Sequence, residues 1–154
     1  RAMPNLGARV RLSSTALAAL PEARSDDLAF ADDLFAAVGR VHRMPEALFD
    51  AFTGLAGSGP AFAAVVAESL ADGGVRAGFR RDVARDLARQ VLLATARLLE
   101  DAGPAELKDE VASPGGTAIA GIRALEEHGV RYGLLRAVEE AAGRAAELSG
   151  EDER

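Results

Sequence analysis

Apolar residues recur at helical spacing through most of the chain after residue 44. The clearest stripe predicts a helix from Arg81 to about Asp101, ended by Gly103 and Pro104, whose apolar face carries Val83, Leu87, Val91, Ala94 and Leu98. A similar stripe predicts a last helix from Val130 to about Leu148, followed by a polar tail over residues 150–154. The pattern after residue 44 is therefore that of an all-helical domain.

Glycine and proline mark the ends of the other predicted helices. A short helix is expected over residues 46–52. Ser58-Gly59-Pro60 supplies an N-cap hydroxyl and a first-turn proline for the next helix, which Asp72-Gly73-Gly74 is expected to stop. Another short helix follows Pro104, and Ser113-Pro114-Gly115-Gly116 precedes a helix that Gly129 caps.

The segment before residue 44 has a different pattern. Residues 8–20 alternate weakly and predict a strand, which Pro21 ends. Asp26 and Asp27 favour the start of a helix, and an apolar stripe continues to Gly39. Residues 39–44 form a short extended run before Pro45, whose ring disfavours helical geometry in the preceding residue. The sequence predicts a strand–helix–strand part over residues 1–44 and a helical domain over residues 45–154.

Composition excludes several kinds of chemistry. The 154 residues include no cysteine, which excludes disulfides and Cys-ligated zinc. The only two histidines, His42 and His128, are far apart in the sequence, so a metal site is not expected. A net charge of −6 argues against a nucleic-acid partner. The longest uncharged apolar run, residues 61–67, is well short of the roughly 20 residues that span a membrane. No basic-then-apolar leader is visible, so we expect a cytoplasmic protein with no membrane partner.

The predicted helices are rich in alanine and glycine, and their apolar faces are therefore thin. Such faces allow close approach of backbones, and we expect some of them to be covered by a second copy of the chain. The alternative is a self-contained, alanine-rich bundle.

Two small-residue segments are candidates for binding an anion. Gly54, Gly57 and Gly59 precede a predicted helix but do not form a dinucleotide loop, because Phe62 stands where the third glycine would be. They indicate either a helix N-terminus open to an anion or a tight interhelical turn. Ser113-Pro114-Gly115-Gly116-Thr117 places a hydroxyl and two glycines at another predicted N-terminus, where a carboxylate site and a plain capped turn are equally good interpretations.

Several motifs, in the same order as in the family, resemble pyrroline-5-carboxylate reductase. They are Phe52-Thr53-Gly54-Leu55-Ala56-Gly57-Ser58-Gly59-Pro60-Ala61-Phe62, then Leu70-Ala71-Asp72-Gly73-Gly74-Val75, and then Leu107-Lys108-Asp109 leading to Ser113-Pro114-Gly115-Gly116. Arg1-Ala2-Met3-Pro4-Asn5 is similar to the loop that closes the family's nicotinamide-binding region. The family's glycine-rich phosphate loop is not present in this sequence, so the chain resembles the C-terminal part of such an enzyme.

The resemblance implies a mainly α fold: a helical dimerisation and substrate-binding domain preceded by the end of a Rossmann-like α/β domain. It implies reduction of the cyclic imine 1-pyrroline-5-carboxylate to L-proline by hydride from NADPH or NADH, the last step of proline biosynthesis. It also implies a homodimer or higher homo-oligomer with active sites between subunits.

The resemblance implies a role for particular residues. Thr53 would be catalytic, near the imine nitrogen, and Met3, Pro4 and Asn5 would contact the cofactor. The substrate carboxylate would be held by Ser113, Gly115, Gly116 and Thr117. No metal is implied.

The chain departs from the family pattern at two places. Ala118 stands where the family usually has threonine, and Leu6-Gly7 stands where it often has Thr-Pro. Thr117 is one residue away from the family position, and one residue corresponds to about 100° of rotation on a helix. Ala118 leaves open a related reductase of another imine, and the missing phosphate loop leaves open a helical dimerisation module without activity of its own.

Overall fold

A computed structural model describes residues 1–152. It contains three strands and seven α-helices within that range. The strands are β1 (Ala2–Pro4), β2 (Ser13–Leu17) and β3 (Gly39–Arg43). The helices are α1 (Ser25–Ala36), α2 (Phe49–Phe52), α3 (Gly59–Arg76), α4 (Arg81–Leu98), α5 (Pro104–Val111), α6 (Thr117–Glu127) and α7 (Val130–Asp152). Of the predicted polar tail, residues 150–152 belong to α7, and residues 153 and 154 lie outside the described residues.

The strands form one small sheet in the order β1-β2-β3. β2 runs parallel to β3 and antiparallel to β1, and α1 is the crossover connection that a parallel pair requires. The predicted strand–helix–strand order is confirmed, although residues 8–10 of the predicted first strand belong to a 3₁₀ helix, Leu6–Val10, instead. β1 was not predicted, because three residues are too few to show alternation and because Pro4 is tolerated only at a sheet edge.

The helical backbone is continuous from α2 into α3, which the sequence did not predict. A π-helical turn, Thr53–Gly57, joins the two, and the backbone at Ser58 also stays in the right-handed helical region. The predicted stop at Gly73-Gly74 is wrong, since α3 runs on to Arg76 and a glycine inside a helix costs only about 1 kcal/mol relative to alanine. Gly78, with a φ of +109°, lies in the turn that follows.

The chain divides into two compact units. The first comprises residues 1–62 with the chain from Leu135 onward, and the second comprises Ala63–Leu134. The core of the first unit consists of Ala16, Ala18, Phe49 and Phe52, with Met3, Met44 and Ala56 packed against it. The core of the second is made almost entirely of alanine, namely Ala71, Ala84 and Ala88, with Val75 beside them.

The apolar stripe predicted for α4 lies on an exposed face of the second unit. Its four larger side chains are 41–53% exposed, and they are Val83, Leu87, Val91 and Leu98. The side chains that α4 buries are instead those of Ala84 and Ala88. The second unit therefore uses alanines for close helix packing and leaves the larger apolar side chains uncovered in the single chain.

One helical run is apolar enough, by length and composition, to be compared with a membrane span. Glu46–Arg76 contains an 18-residue window of mean hydropathy 1.2, of which 11% is buried. This is weak evidence for a span, because core helices of water-soluble proteins pass the same test. The expected absence of a membrane partner stays a prediction.

Candidate functional site

Thr53 lies at the first position of the π turn, in the first unit. Its side chain is half-buried, and its Oγ1 donates to the carbonyl oxygen of Phe49 at 2.8 Å. This is the local bond that a threonine in a helix makes to the carbonyl four residues earlier. The same Oγ1 lies 3.1 Å from Sδ of Met3. The hydroxyl is therefore held at the surface of the core, and π turns of this kind are frequent at functional sites.

The segment that follows β1 crosses the π turn and is bonded to it. The side-chain Nδ2 of Asn5 donates to the carbonyl oxygen of Ala56 at 2.8 Å. Its Oδ1 accepts from the backbone N–H of Gly7 at 3.0 Å and of Ser14 at 3.3 Å. Thus Met3 and Asn5, assigned to the cofactor by resemblance, are brought together with Thr53, while Pro4 between them is exposed.

Ser113 opens a tight turn in the second unit, directly before α6. The backbone N–H of Gly116 donates to the carbonyl of Ser113 at 3.0 Å. Pro114 takes the second position and Gly115, with a φ of +71°, the third, which are the residues that a type II turn favours there. A Cβ on Gly116 would lie 2.3 Å from Oγ of Ser113, so the hydroxyl occupies the space that a larger residue would fill.

The N-terminus of α6 has no cap from a side chain. Gly116 is the N-cap residue and has no side chain to accept a bond from the first turn. Within the part of the chain that the structure describes, no hydrogen bond involves the hydroxyl of Ser113, and both Ser113 and Thr117 are exposed. The first-turn N–H groups and the positive end of the helix dipole therefore face outward beside a hydroxyl, an arrangement suited to a carboxylate.

An open groove extends from this turn along α6. It has a volume of about 720 Å³ and begins at Gly115 and Gly116. Ile119, Ile122 and Arg123 line it further along the helix. The groove is lined mainly by apolar atoms, and the charged side chains of Arg123, Glu126 and Glu127 also line it.

Packing explains one glycine of the π turn, Gly54. A Cβ on Gly54 would lie 2.6 Å from the carbonyl oxygen of Val138 and 2.8 Å from the backbone nitrogen of Ala142, both in α7. Because the helical backbone is continuous, the N–H of Ser58 bonds to the carbonyl of Thr53 at 2.9 Å instead of facing a ligand. The segment is therefore neither an open helix N-terminus nor a tight turn between separate helices: it is a π turn within a continuous helical run.

The histidines are not part of either arrangement. Nδ1 of His128 lies 2.8 Å from the carbonyl oxygen of Ala124, a contact that satisfies the C-terminus of α6. Among the described residues, no group of three or more His, Cys, Asp or Glu side chains could hold a metal ion.

Sequence reasoning missed the π turn and the bond from Asn5 to Ala56. The available signal was Thr53-Gly54-Leu55-Ala56-Gly57, a small-residue stretch that contains no proline and lies between two apolar helical patterns. The carbonyl that a π turn leaves without its usual partner cannot be located from periodicity alone.

The fold defines a class: a helical domain preceded by a small three-stranded sheet, with a helix N-terminus in the second unit that no side chain caps. Residues 46–148 match the family described as pyrroline-5-carboxylate reductase dimerisation. The chain belongs to this family.

Curated relatives extend the similarity over nearly the whole chain. The chain is 57% identical over 154 residues to a pyrroline-5-carboxylate reductase of Thermus thermophilus, covering 99% of this chain and 59% of the relative. It is 49% identical over 150 residues to one of Synechocystis, covering 96% of this chain and 56% of the relative. The chain therefore spans a little over half the length of these relatives.

Solved structures agree with the fold. A pyrroline carboxylate reductase of Plasmodium falciparum, solved with NADP bound, matches with a TM-score of 0.88 at 29% identity, covering 94% of this chain and 59% of that one. A 1-pyrroline-5-carboxylate reductase of Streptococcus pyogenes matches with a TM-score of 0.90 at 35% identity, covering 94% and 57%. The predicted fold class, helices preceded by a short sheet, is confirmed.

Proposed function

We propose that this chain is the substrate-binding and dimerisation part of an enzyme that reduces 1-pyrroline-5-carboxylate to L-proline with NADPH or NADH. Family membership supports the reaction. The observation in this chain that carries the proposal is the uncapped N-terminus of α6, with the hydroxyl of Ser113 beside it.

The carboxylate of the substrate is held at this N-terminus. Ser113 donates its hydroxyl, Gly115 and Gly116 let the anion approach the backbone, and Thr117 begins the helix whose N–H groups complete the site. This anchoring converts a diffusional encounter into a fixed geometry, which is a large part of what a hydride transfer requires.

Thr53 orients the imine nitrogen. The reaction adds a hydride to the carbon of the C=N bond, the π electrons move to nitrogen, and nitrogen carries a proton in the product. With its own proton donated to the carbonyl of Phe49, the hydroxyl of Thr53 presents lone pairs that accept the N–H of the protonated imine.

The reduced nicotinamide supplies the hydride when it is bound. The residues of this chain that fit it are Met3, Pro4 and Asn5, since exposed Pro4 leaves one side of the segment free beside Thr53. The residues that bind the phosphates belong to the upstream half, and the domain boundary of this chain falls near residue 44.

The exposed stripe on α4 is covered by a second copy of the chain. Four apolar side chains at helical spacing, each at least two-fifths exposed, form a contiguous apolar surface of the kind that marks an interaction site, and the family is described by its dimerisation. Homodimers are the most common closed assembly for such a face. We place the enzyme in the cytoplasm.

The proposal is tested by joining the chain to its upstream half and following NADPH oxidation with cyclic imines of different ring size. We expect turnover with 1-pyrroline-5-carboxylate by the long chain and none by the 154 residues alone. Faster turnover of a six-membered imine would favour the related reductase that Ala118 suggests. Binding of NADPH without turnover of any imine would favour the non-catalytic module.

A further inference from the structure

The carbonyl of Ala56 has lost the donor that a helix normally provides. In an α-helix it would accept from the N–H four residues later, but that residue is Pro60, which has none. The next N–H along the chain, that of Ala61, donates to the carbonyl of Ser58 at 2.9 Å. Ala56 packs against the core of the first unit, where a carbonyl without a partner is unfavourable.

The side chain of Asn5 supplies the missing donor. Its Nδ2 lies 2.8 Å from the oxygen of Ala56. Two backbone N–H groups, from Gly7 and Ser14, hold its Oδ1, and this fixes which end of the amide faces the π turn. The bond is thus made by an oriented amide and not by a freely rotating one.

The segment from Met3 to Asn5 therefore touches the π turn at two points. Sδ of Met3 meets Oγ1 of Thr53 at the start of the turn, and Asn5 meets Ala56 one helical turn later. Both contacts lie in the first unit, and a shift of the turn would carry the hydroxyl of Thr53 with it.

We infer that Asn5 is a positioning residue: its amide replaces the donor that Pro60 removes, and so holds the π turn that places Thr53 against the substrate. The part of this inference that concerns turnover rests on the proposed function. The part that concerns the turn rests on the hydrogen bonds alone.

The full-length enzyme with Asn5→Asp tests the inference. Aspartate keeps the acceptor for Gly7 and Ser14 but turns an oxygen toward the oxygen of Ala56. We expect kcat to fall roughly ten- to hundredfold, as misplacement of a reacting group does, which is a larger change than any in KM for NADPH. We also expect faster amide hydrogen exchange over residues 53–58.

A second pair of variants isolates the donor itself. Asn5→Ser keeps a capping oxygen without introducing charge, and Pro60→Ala returns a backbone N–H four residues after Ala56. We expect Asn5→Ser to speed exchange over residues 53–58 and the double variant to bring it back toward the parent rate. The comparison of Asn5→Ser with the double variant tests the role of the donor even if Asn5→Asp does not fold.

Three results would overturn the inference. A raised KM for NADPH with unchanged kcat and exchange would show that the side chain of Asn5 acts through the cofactor alone and does not position the π turn. Unchanged kinetics and unchanged hydrogen exchange in the Asn5 variants would show that the side chain of Asn5 does not hold the π turn. The same conclusion would follow if adding Pro60→Ala to Asn5→Ser did not slow the exchange again. A parent enzyme that does not reduce the imine would contradict the proposed function only, because the exchange rates still test the turn.

Discussion

At Gly54 the backbone of the π turn passes close to the backbone of α7 in the first unit. An added Cβ would collide with the carbonyl of Val138 and the nitrogen of Ala142, neither of which can rotate away. We expect Gly54→Ala to lower the free energy of unfolding by about 1–3 kcal/mol, the usual cost of overpacking. Urea unfolding measures it, with Gly59→Ala as control, since a Cβ there meets nothing within 4 Å. Equal losses in both variants would contradict this packing.

Position 118 decides whether the carboxylate site has its full set of hydroxyls. Ala118 is half-buried in the first turn of α6, and exposed Thr117 lies beside it. If Ala118 leaves the site one hydroxyl short, Ala118→Thr in the full-length enzyme lowers KM for the imine roughly 5- to 30-fold, equivalent to ~1–2 kcal/mol for a bond to a charged group.

Thr117→Ala tests the alternative that Thr117 already supplies the hydroxyl that Ala118 lacks. We expect it to change KM for the imine by less than about twofold, because one residue rotates a helical side chain by roughly 100° away from the family position. A large rise in KM for Thr117→Ala, with no gain from Ala118→Thr, would show that Thr117 already supplies the hydroxyl.

At the scale of single residues, the sequence predicted the Ser113 turn well and the π turn poorly. Proline at position 114 followed by glycine at position 115 is typical of one turn type, so the turn could be predicted without information on tertiary contacts. The need for glycine at position 54 arises from α7, more than eighty residues away, and no local pattern reports such a contact.

At the scale of elements, α1 shows how charge supports a helix start that no side chain caps. The guanidinium of Arg24 donates to both carboxylate oxygens of Asp27, at 3.0 Å each, and this hydrogen bond lowers the pKa of Asp27 below its usual value. The pair therefore stabilises the folded chain at pH values above the ordinary pKa of an aspartate. This stabilisation is lost as the pH falls through the lowered pKa of Asp27. We expect Arg24→Gln to raise the NMR titration midpoint of the Asp27 carboxyl, and an unchanged midpoint would contradict the pairing.

Helix types could be predicted better than helix ends. Stripes in α4 and α7 were long enough to identify, but α3 continued past Gly73 and Gly74 because tertiary packing outweighs a small propensity cost. Gly74 lies against α4, where an added Cβ would be 3.2 Å from the Cβ of Ala84. The glycine that was interpreted as a stop is instead a contact between helices.

At the scale of the whole molecule, the exposed stripe on α4 predicts self-association. We expect the parent chain to have twice the chain mass in light scattering, and the double variant Leu87→Gln, Val91→Gln to shift it toward the monomer without loss of helical circular dichroism. Arg85→Gln, on the same helix but off the stripe, is the control. A parent that is monomeric at high concentration would contradict the dimer.

The central claim is that the N-terminus of α6 holds the substrate carboxylate. Its most direct test is the steady-state kinetics of full-length Ser113→Ala, with Ser69→Ala as control because that hydroxyl bonds only to its own helix, at the carbonyl of Val65. We predict that Ser113→Ala raises KM for 1-pyrroline-5-carboxylate about tenfold or more and leaves KM for NADPH unchanged. Equal constants in Ser113→Ala and the parent would contradict the claim.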